Sequence, residues 1–157
     1  MKKTLLALAA LGLFTAACQK SETGLSATEK MVVGKWRLTY AKSFTVFNGT
    51  VSTSIDMLAA MDSCMRDDLT DLRSDHTYNM DQGNNLCFPM FPKEVRWGTW
   101  KLADNDQKLL FTLDSPSQVT TNRILELTST RMKLYVDTTY LQDDQTISTK
   151  LIQIYEK

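Results

Sequence analysis

The residue types that perform most protein chemistry are few in this chain. It has 157 residues, with one histidine and three cysteines. His76 stands in the polar stretch Ser74-Asp75-His76, which predicts a tight turn between two strands. A serine nucleophile needs a histidine beside it, and the sequence has no Gly-x-Ser-x-Gly elbow to present such a serine. We therefore expect that the protein is not an enzyme.

Acidic residues are numerous, and they cluster where strands are predicted to end. These clusters are Asp67-Asp68, Asp104 with Asp106, and Asp143-Asp144. Carboxylates at such positions are solvated, and an acid pair supports catalysis only where both groups converge on one pocket. Two carboxylates in one turn also fall short of the roughly six to eight oxygens that Ca²⁺ requires. The sequence predicts no metal site and no cofactor.

The charge balance excludes nucleic acid as a partner. Eighteen Lys and Arg stand against eighteen Asp and Glu, and Lys2 and Lys3 fall within the first 17 residues, which hold no acid. The rest of the chain is therefore slightly acidic and lacks a basic footprint. With 43% hydrophobic and 23% charged residues, the composition is typical of one packed soluble domain.

The first residues are typical of an export signal. Lys2 and Lys3 precede an uncharged apolar run of 13 residues, 5–17, which is shorter than the roughly 20 helical residues that span a membrane. The residues Thr15-Ala16-Ala17-Cys18 resemble the bacterial lipobox, in which the cysteine carries the lipid. The resemblance implies a lipoprotein signal peptide over 1–17, acyl chains such as palmitate on Cys18, and anchoring to the cell envelope at the outer membrane. The alternative is an ordinary cleaved signal with an incidental cysteine.

Residues 18–30 are polar and predict a flexible tether, and the two remaining cysteines lie beyond it. In an exported chain, Cys64 and Cys87 lie outside the reducing cytoplasm and are expected to oxidise. A bridge between them closes a loop of 22 intervening residues, worth about 3 kcal/mol of stability. A redox or metal pair is the alternative, but the chain has no Cys-x-x-Cys spacing. We predict a structural disulfide.

Residues 31–157 predict one all-β domain. Short alternating apolar and polar stretches are separated by turn residues, and no stretch is typical of a helical crossover between parallel strands. This pattern predicts an eight-stranded antiparallel up-and-down barrel, with an excursion over 41–63 after the first strand. The predicted strands are 36–40, 69–73, 77–80, 95–102, 108–113, 119–128, 131–140 and 146–155.

The excursion carries two local signals. Asn48-Gly49 between apolar runs predicts a hairpin. Met57, Met61 and Met65 then follow at helical spacing, which predicts a short helix over 55–65 capped by Ser54. We favour a helix that plugs one open end of the barrel core. The alternative is a methionine face for a ligand or a partner.

An ordered set of motifs resembles the lipocalin-like lipoproteins of Gram-negative bacteria. The set consists of Gly34-Lys35-Trp36, Cys64 with Asp67-Asp68, Cys87, Gly98-Thr99-Trp100-Lys101-Leu102, Ile124-Leu125-Glu126-Leu127 and Met132-Lys133-Leu134. The resemblance covers about residues 31–157 and implies a barrel in the cell envelope. It also implies that Trp36 closes the barrel floor, with Arg131 as the cation stacked on its ring.

The interior of such a barrel decides between two functions. Eight strands enclose a space that is either filled by side chains or wide enough for one small ligand. Besides Trp36, the residues predicted to face inward are Tyr78, Trp100, Phe111, Leu125 and Tyr135. We expect these five to line a site for a small apolar or amphipathic ligand. The alternative is a filled barrel that serves as a structural or protein-interaction module, with the methionines docking an unidentified partner.

The anchor leads to a first prediction. Cys18→Ser should abolish acylation and release the protein from the membrane fraction, because no other apolar segment of the sequence is predicted to hold it there. Mass spectrometry of the purified protein and membrane fractionation check the two effects. A variant that stays membrane-bound after a carbonate wash would show that the anchor lies elsewhere.

Overall fold

Alternating apolar and polar residues build most of the chain into one antiparallel sheet. The computed structural model describes residues 24–142 and 145–157. Its strands are β1 (Gly34–Phe47), β2 (Thr50–Asp56), β3 (Leu69–Leu72), β4 (Thr77–Asp81), β5 (Glu94–Ala103), β6 (Lys108–Leu113), β7 (Val119–Leu127), β8 (Arg131–Gln142) and β9 (Gln145–Glu156). Helices α1 (Ala27–Val32) and α2 (Met57–Ala60) and a 3₁₀ turn (Ser63–Met65) accompany them. No helix in these two ranges is long and apolar enough to cross a membrane.

The sheet closes into a barrel of eight strands. β1 and β3 to β9 pair in chain order with antiparallel neighbours, and β9 pairs back with β1. β2 lies outside this circle and pairs with the second half of β1. The predicted eight-stranded antiparallel up-and-down barrel is confirmed, because each barrel strand pairs with the next one in the chain.

The first strand is longer than predicted. Residues 34–37 of β1 pair with β3, residues 42–47 pair with β2, and the other edge pairs with β9 from Arg37 to Phe47. The excursion therefore begins as a continuation of β1. Its hairpin turn is confirmed, because Asn48 and Gly49 have φ angles of 46° and 86°, the positive values that a tight two-residue hairpin turn requires.

The predicted short helix forms over Met57–Ala60 only, and its predicted bounds of 55–65 and its cap at Ser54 are wrong. Ser54 lies within β2, opposite Phe44, and the cap of α2 is Asp56, whose carboxylate accepts a 2.9 Å hydrogen bond from the Ala59 amide. The helix ends at Ala60, before the separate 3₁₀ turn. Pairing with β1 extends β2 into the predicted helix start, so the methionine spacing spans three different local structures.

The N-terminal side of the barrel also differs from the prediction. Residues 27–30, assigned to the tether, lie in α1, which a capping box begins: Glu29 N donates to Ser26 Oγ, and Ser26 N donates to the Glu29 carboxylate. Residues 1–23, which include the predicted signal peptide and Cys18, lie outside the described residues.

Trp36 and helix α1 close one end of the barrel, which we call the floor. Trp36 is fully buried, and its indole Nε1 donates a 2.7 Å hydrogen bond to the Val32 carbonyl. The Lys157 ammonium lies 4.4 Å from the centre of the Trp36 ring and donates to the carbonyls of Met31 and Val33. One buried aromatic thus joins the helix, the first strand and the end of the last strand.

Arg131 does not stack on Trp36, contrary to the prediction. It precedes buried Met132 at the start of β8, so its side chain points to the opposite face of the sheet. There its guanidinium pairs with Glu156 at 2.8 Å and with Glu126 at 3.4 Å. The cation on the Trp36 ring is Lys157.

The predicted turn at 74–76 is confirmed, and it fastens α1 to the floor. His76 has a φ of 64°, and its Nε2 lies 2.8 Å from the Glu29 carboxylate. This hydrogen bond lowers the pKa of Glu29 below its ordinary value. On its other side the imidazole packs against the buried Trp100 ring at 4.8 Å.

The floor leads to a second prediction. Trp36→Ala and Trp100→Ala should each lower the free energy of unfolding by about 3–5 kcal/mol, since each removes a large aromatic from a packed core. Trp97→Ala, on the same strand as Trp100 but with a side chain 46% exposed, should cost clearly less. Urea denaturation of the three variants measures the difference, and equal losses would contradict the packing described above.

Candidate functional site

The end of the barrel opposite the floor holds a cavity of about 460 Å³. Chain direction places the hairpin turn, the segment 57–68 and the loop 82–93 at this end, because β1 and β4 both run away from the floor towards it. The cavity lies between the segment 57–68, the loop 82–93 and the adjoining ends of β4 and β5. We call it the open-end cavity.

Three methionines form one part of the wall. Met80 follows Tyr78 by two residues on β4, so it continues the inward face of that strand above the core. Met61 and Met65 come from the segment between α2 and β3. The Arg66 guanidinium fixes this segment by donating to the carbonyls of Ala59 and Met61 at 3.0–3.2 Å. Methionine side chains adapt to ligands of different shape.

Aromatic residues form another part of the wall. Phe88 and Phe91 come from the loop 82–93 and meet edge to face, with ring centres 6.0 Å apart. Val95 and Trp97 complete this side from β5. All four side chains are partly exposed, although apolar groups of this size are usually covered in a folded domain. The cavity therefore presents a solvent-exposed apolar surface that a ligand could cover.

Buried polar groups hold the loop 82–93 in one shape. The Gln82 side chain donates to the Pro92 carbonyl at 3.1 Å and accepts from the Phe88 amide at 3.2 Å. Because its amide is thereby satisfied within the loop, Gln82 stiffens the aromatic wall at little cost in desolvation.

Asp67 supports the loop from the neighbouring segment. Its carboxylate accepts hydrogen bonds from the amides of Asn84 and Asn85 at 2.7 and 3.1 Å. Gly83 lies directly beside it with a φ of 63°, and a Cβ there would stand 2.5 Å from the Asp67 carbonyl oxygen. The site thus tolerates only glycine at this position of the loop.

The two cysteines link the two walls. The sulfur atoms of Cys64 and Cys87 lie at disulfide distance, and their Cα atoms are 5.3 Å apart, which confirms the predicted pairing. Cys64 lies beside Met65, and Cys87 itself lines the cavity beside Phe88. The bridge therefore holds the methionine segment against the aromatic loop.

One ionisable side chain, Asp68, lies in the wall of the open-end cavity. Burial raises its pKa above the ordinary value for aspartate, and the neighbouring carboxylates of Asp67 and Asp81 raise it further. The pKa values of those two acids are themselves lowered, that of Asp67 by backbone amide donors and that of Asp81 by the Lys35 ammonium. The charged form of Asp68 is thus disfavoured until a cation approaches.

The residues predicted to line a ligand site fall into two groups. Tyr78 and Trp100 are buried in the core between the floor and the cavity, and Phe111 packs on Tyr78 with ring centres 5.0 Å apart. These three fill the barrel. The open-end cavity begins above them and uses none of their side chains.

Leu125 and Tyr135 do not face inward as predicted. Leu125 stands at a bulge of β7 between Ile124 and Glu126, and its side chain is 44% exposed. Tyr135 follows buried Leu134, so it points outward, where its hydroxyl donates to Asp137. Leu125 is turned outward by the extra residue in β7, which reverses the alternation there. β8 pairs with β9 without a shift, and Tyr135 lies on the outer face because the inward residues of this strand are Met132 and Leu134.

Sequence reasoning missed most of the cavity wall. Met80 was assigned to a strand without a site, and Phe88, Phe91 and Asp68 were assigned to connecting segments. One signal was available: Leu86-Cys87-Phe88-Pro89-Met90-Phe91-Pro92 is an apolar run in a segment with no strand pattern. Such a run is unusual in a surface loop and favours a binding surface.

Chemistry beyond apolar contact is sparse at this site. Among the described residues, no group of three or more His, Cys, Asp and Glu side chains could hold a metal ion. No protein-family model, curated protein or solved structure matches the chain. The geometry of the cavity is therefore the basis for any statement about function.

The bridge between the walls leads to a third prediction. Reduction of the protein and Cys64→Ser should lower the stability by similar amounts, about 3 kcal/mol, because both remove the same loop constraint. Both treatments should also make residues 82–93 more sensitive to protease. Thermal unfolding and limited proteolysis check these effects. Labelling of Cys64 and Cys87 by iodoacetamide in native, unreduced protein would contradict the bridge.

Proposed function

We propose that this protein is a lipid-anchored, lipocalin-like protein of the cell envelope that binds a small apolar or amphipathic ligand in the open-end cavity. One observation carries the binding part: a cavity of about 460 Å³ with walls of methionine and aromatic side chains. Small-molecule sites commonly measure roughly 300–1,000 Å³ and are lined mainly by apolar groups with a few polar ones. The rigid loop 82–93 keeps this cavity formed before a ligand arrives.

Anchoring is supported by the sequence alone. The export-like residues 2–17 and the lipobox-like Thr15-Ala16-Ala17-Cys18 favour an acyl group on Cys18 and a place at the outer membrane. The ordered motifs over about 31–157 favour a kinship with lipocalin-like lipoproteins, and the eight-stranded barrel agrees with that kinship. The binding role is non-enzymatic, and it involves neither nucleic acid nor a cofactor.

A protein-interaction module remains the second candidate. It is favoured by Met90, which stands on the loop 82–93 with 86% of its surface exposed, and by Met57, 41% exposed on α2. Exposed apolar groups of this kind can bury themselves against a partner. The packed core near the floor is compatible with either function. The two candidates differ in what makes the contact: the open-end cavity with a small ligand, or the exposed Met90 and Met57 with a protein partner.

A matched pair of variants separates the two candidates. Phe91→Asp places a charge in the cavity wall, whereas Met90→Asp places the same charge one residue away, outside the lining. With N-phenyl-1-naphthylamine as a neutral fluorescent probe, Phe91→Asp should weaken binding about tenfold or more, since a charge in an apolar wall must be desolvated. Met90→Asp should leave probe affinity unchanged.

Three results would contradict the ligand-binding proposal. They are no binding of the probe by the wild-type protein, equal loss in both variants, and undiminished binding by Phe91→Asp. Circular dichroism of both variants confirms that each is folded. Both positions are largely exposed, so neither substitution is expected to disturb the core.

A further inference from the structure

We propose that the open-end cavity selects ligands with an apolar tail and a cationic amine head, which the Asp68 carboxylate binds. This inference rests on the proposed function and specifies the ligand's chemistry. The cavity wall is otherwise methionine, aromatic and aliphatic, with Gln82 committed to its own loop. Asp68 is thus the polar group left to recognise the head of an amphipathic ligand.

The Asp68 carboxylate has no cation of its own. Within residues 24–142 and 145–157, no lysine, arginine or histidine lies at ion-pairing distance from it, and no side-chain hydrogen bond reaches it. The nearby cations have other partners. Lys35 and Lys93 approach Asp81 at 2.8 and 4.0 Å, and Arg66 donates to backbone carbonyls. A partly buried carboxylate without a partner is costly, and a bound ammonium removes that cost.

The surroundings of Asp68 are negative as well. Asp67 and Asp81 both disfavour its ionisation, and the Asp67 Oδ1 atom is buried with no hydrogen-bond partner among the described residues. A ligand carboxylate or phosphate bound beside Asp68 would be repelled by these carboxylates, whereas an ammonium would be attracted. The cavity therefore discriminates by attraction and by repulsion, and it excludes fatty-acid anions.

Three ligands with the same tail test this selectivity. Decylammonium and decanoate, each below its micelle concentration, and decanol, below its solubility limit, are titrated against the bound N-phenyl-1-naphthylamine probe at neutral pH. We expect decylammonium to bind about tenfold more tightly than decanol, and decanoate to bind most weakly. Because the tails are identical, differences among the three report the head group alone.

A matched pair of variants assigns the effect to Asp68. Asp68→Asn keeps the shape of the side chain and should abolish the preference for decylammonium while leaving decanol affinity unchanged. Asp62→Asn removes the same charge from an exposed residue outside the lining and should leave the preference intact. Asp68→Asn should also unfold at a higher temperature at neutral pH, because a carboxylate with a raised pKa destabilises the folded state when it is ionised.

The outcomes separate this inference from the proposed function. Displacement of the probe by all three ligands with equal strength overturns the cation selectivity but leaves ligand binding intact. Failure of every ligand and of the probe itself overturns the proposed function. Tightest binding by decanoate, or equal effects of Asp68→Asn and Asp62→Asn, overturns the role assigned to Asp68. The ligand comparison on the wild-type protein decides the matter even if one variant does not fold.

Discussion

The pairing of β9 with β1 is the constraint on which the rest of the structure depends. It closes eight of the nine strands into a circle, with β2 outside it, and separates an inside from an outside. Because β1 is 14 residues long, it can pair with β3 near the floor, with β2 towards the opposite end, and with β9 along almost its whole length. β1 therefore runs from the floor, where it begins beside β3, to the opposite end, where it turns into β2.

The two ends are built from different kinds of contact. At the floor, Trp36, Trp100 and Lys157 combine packing with satisfied polar groups, and the space is filled. At the other end, loops held by Gln82 and by the Cys64–Cys87 bridge surround a space that is not filled. The residues that pack the core and the residues that line the open-end cavity are therefore different, and the proposed ligand site lies outside the packed core.

Sequence reasoning succeeded where the signal is local. Alternation revealed the eight barrel strands, Asn48-Gly49 revealed its hairpin, and the two cysteines revealed their pairing. It failed where a local signal was overridden. The predicted helix over 55–65 loses its first two residues to β2, which pairs with β1, and a bulge in β7 turns Leu125 outward. The cation predicted on the Trp36 ring, Arg131, lies on the outer face of β8 beside Glu156, and Lys157 lies over the ring instead.

The sequence by itself determined the strands, their turns and the barrel, because each depends on residues close in the chain or on one repeated pattern. It also determined the disulfide, because beyond Cys18 the chain has only Cys64 and Cys87 to pair. Only the tertiary structure decided where the open-end cavity forms. The cavity wall joins residues from four segments: Met61 and Asp68 from 57–68, Met80 from β4, Phe91 from the loop 82–93 and Trp97 from β5. Their meeting depends on strand register and on loop paths, and a shift of one residue in a strand reverses which side chains face inward. No local pattern carries that information.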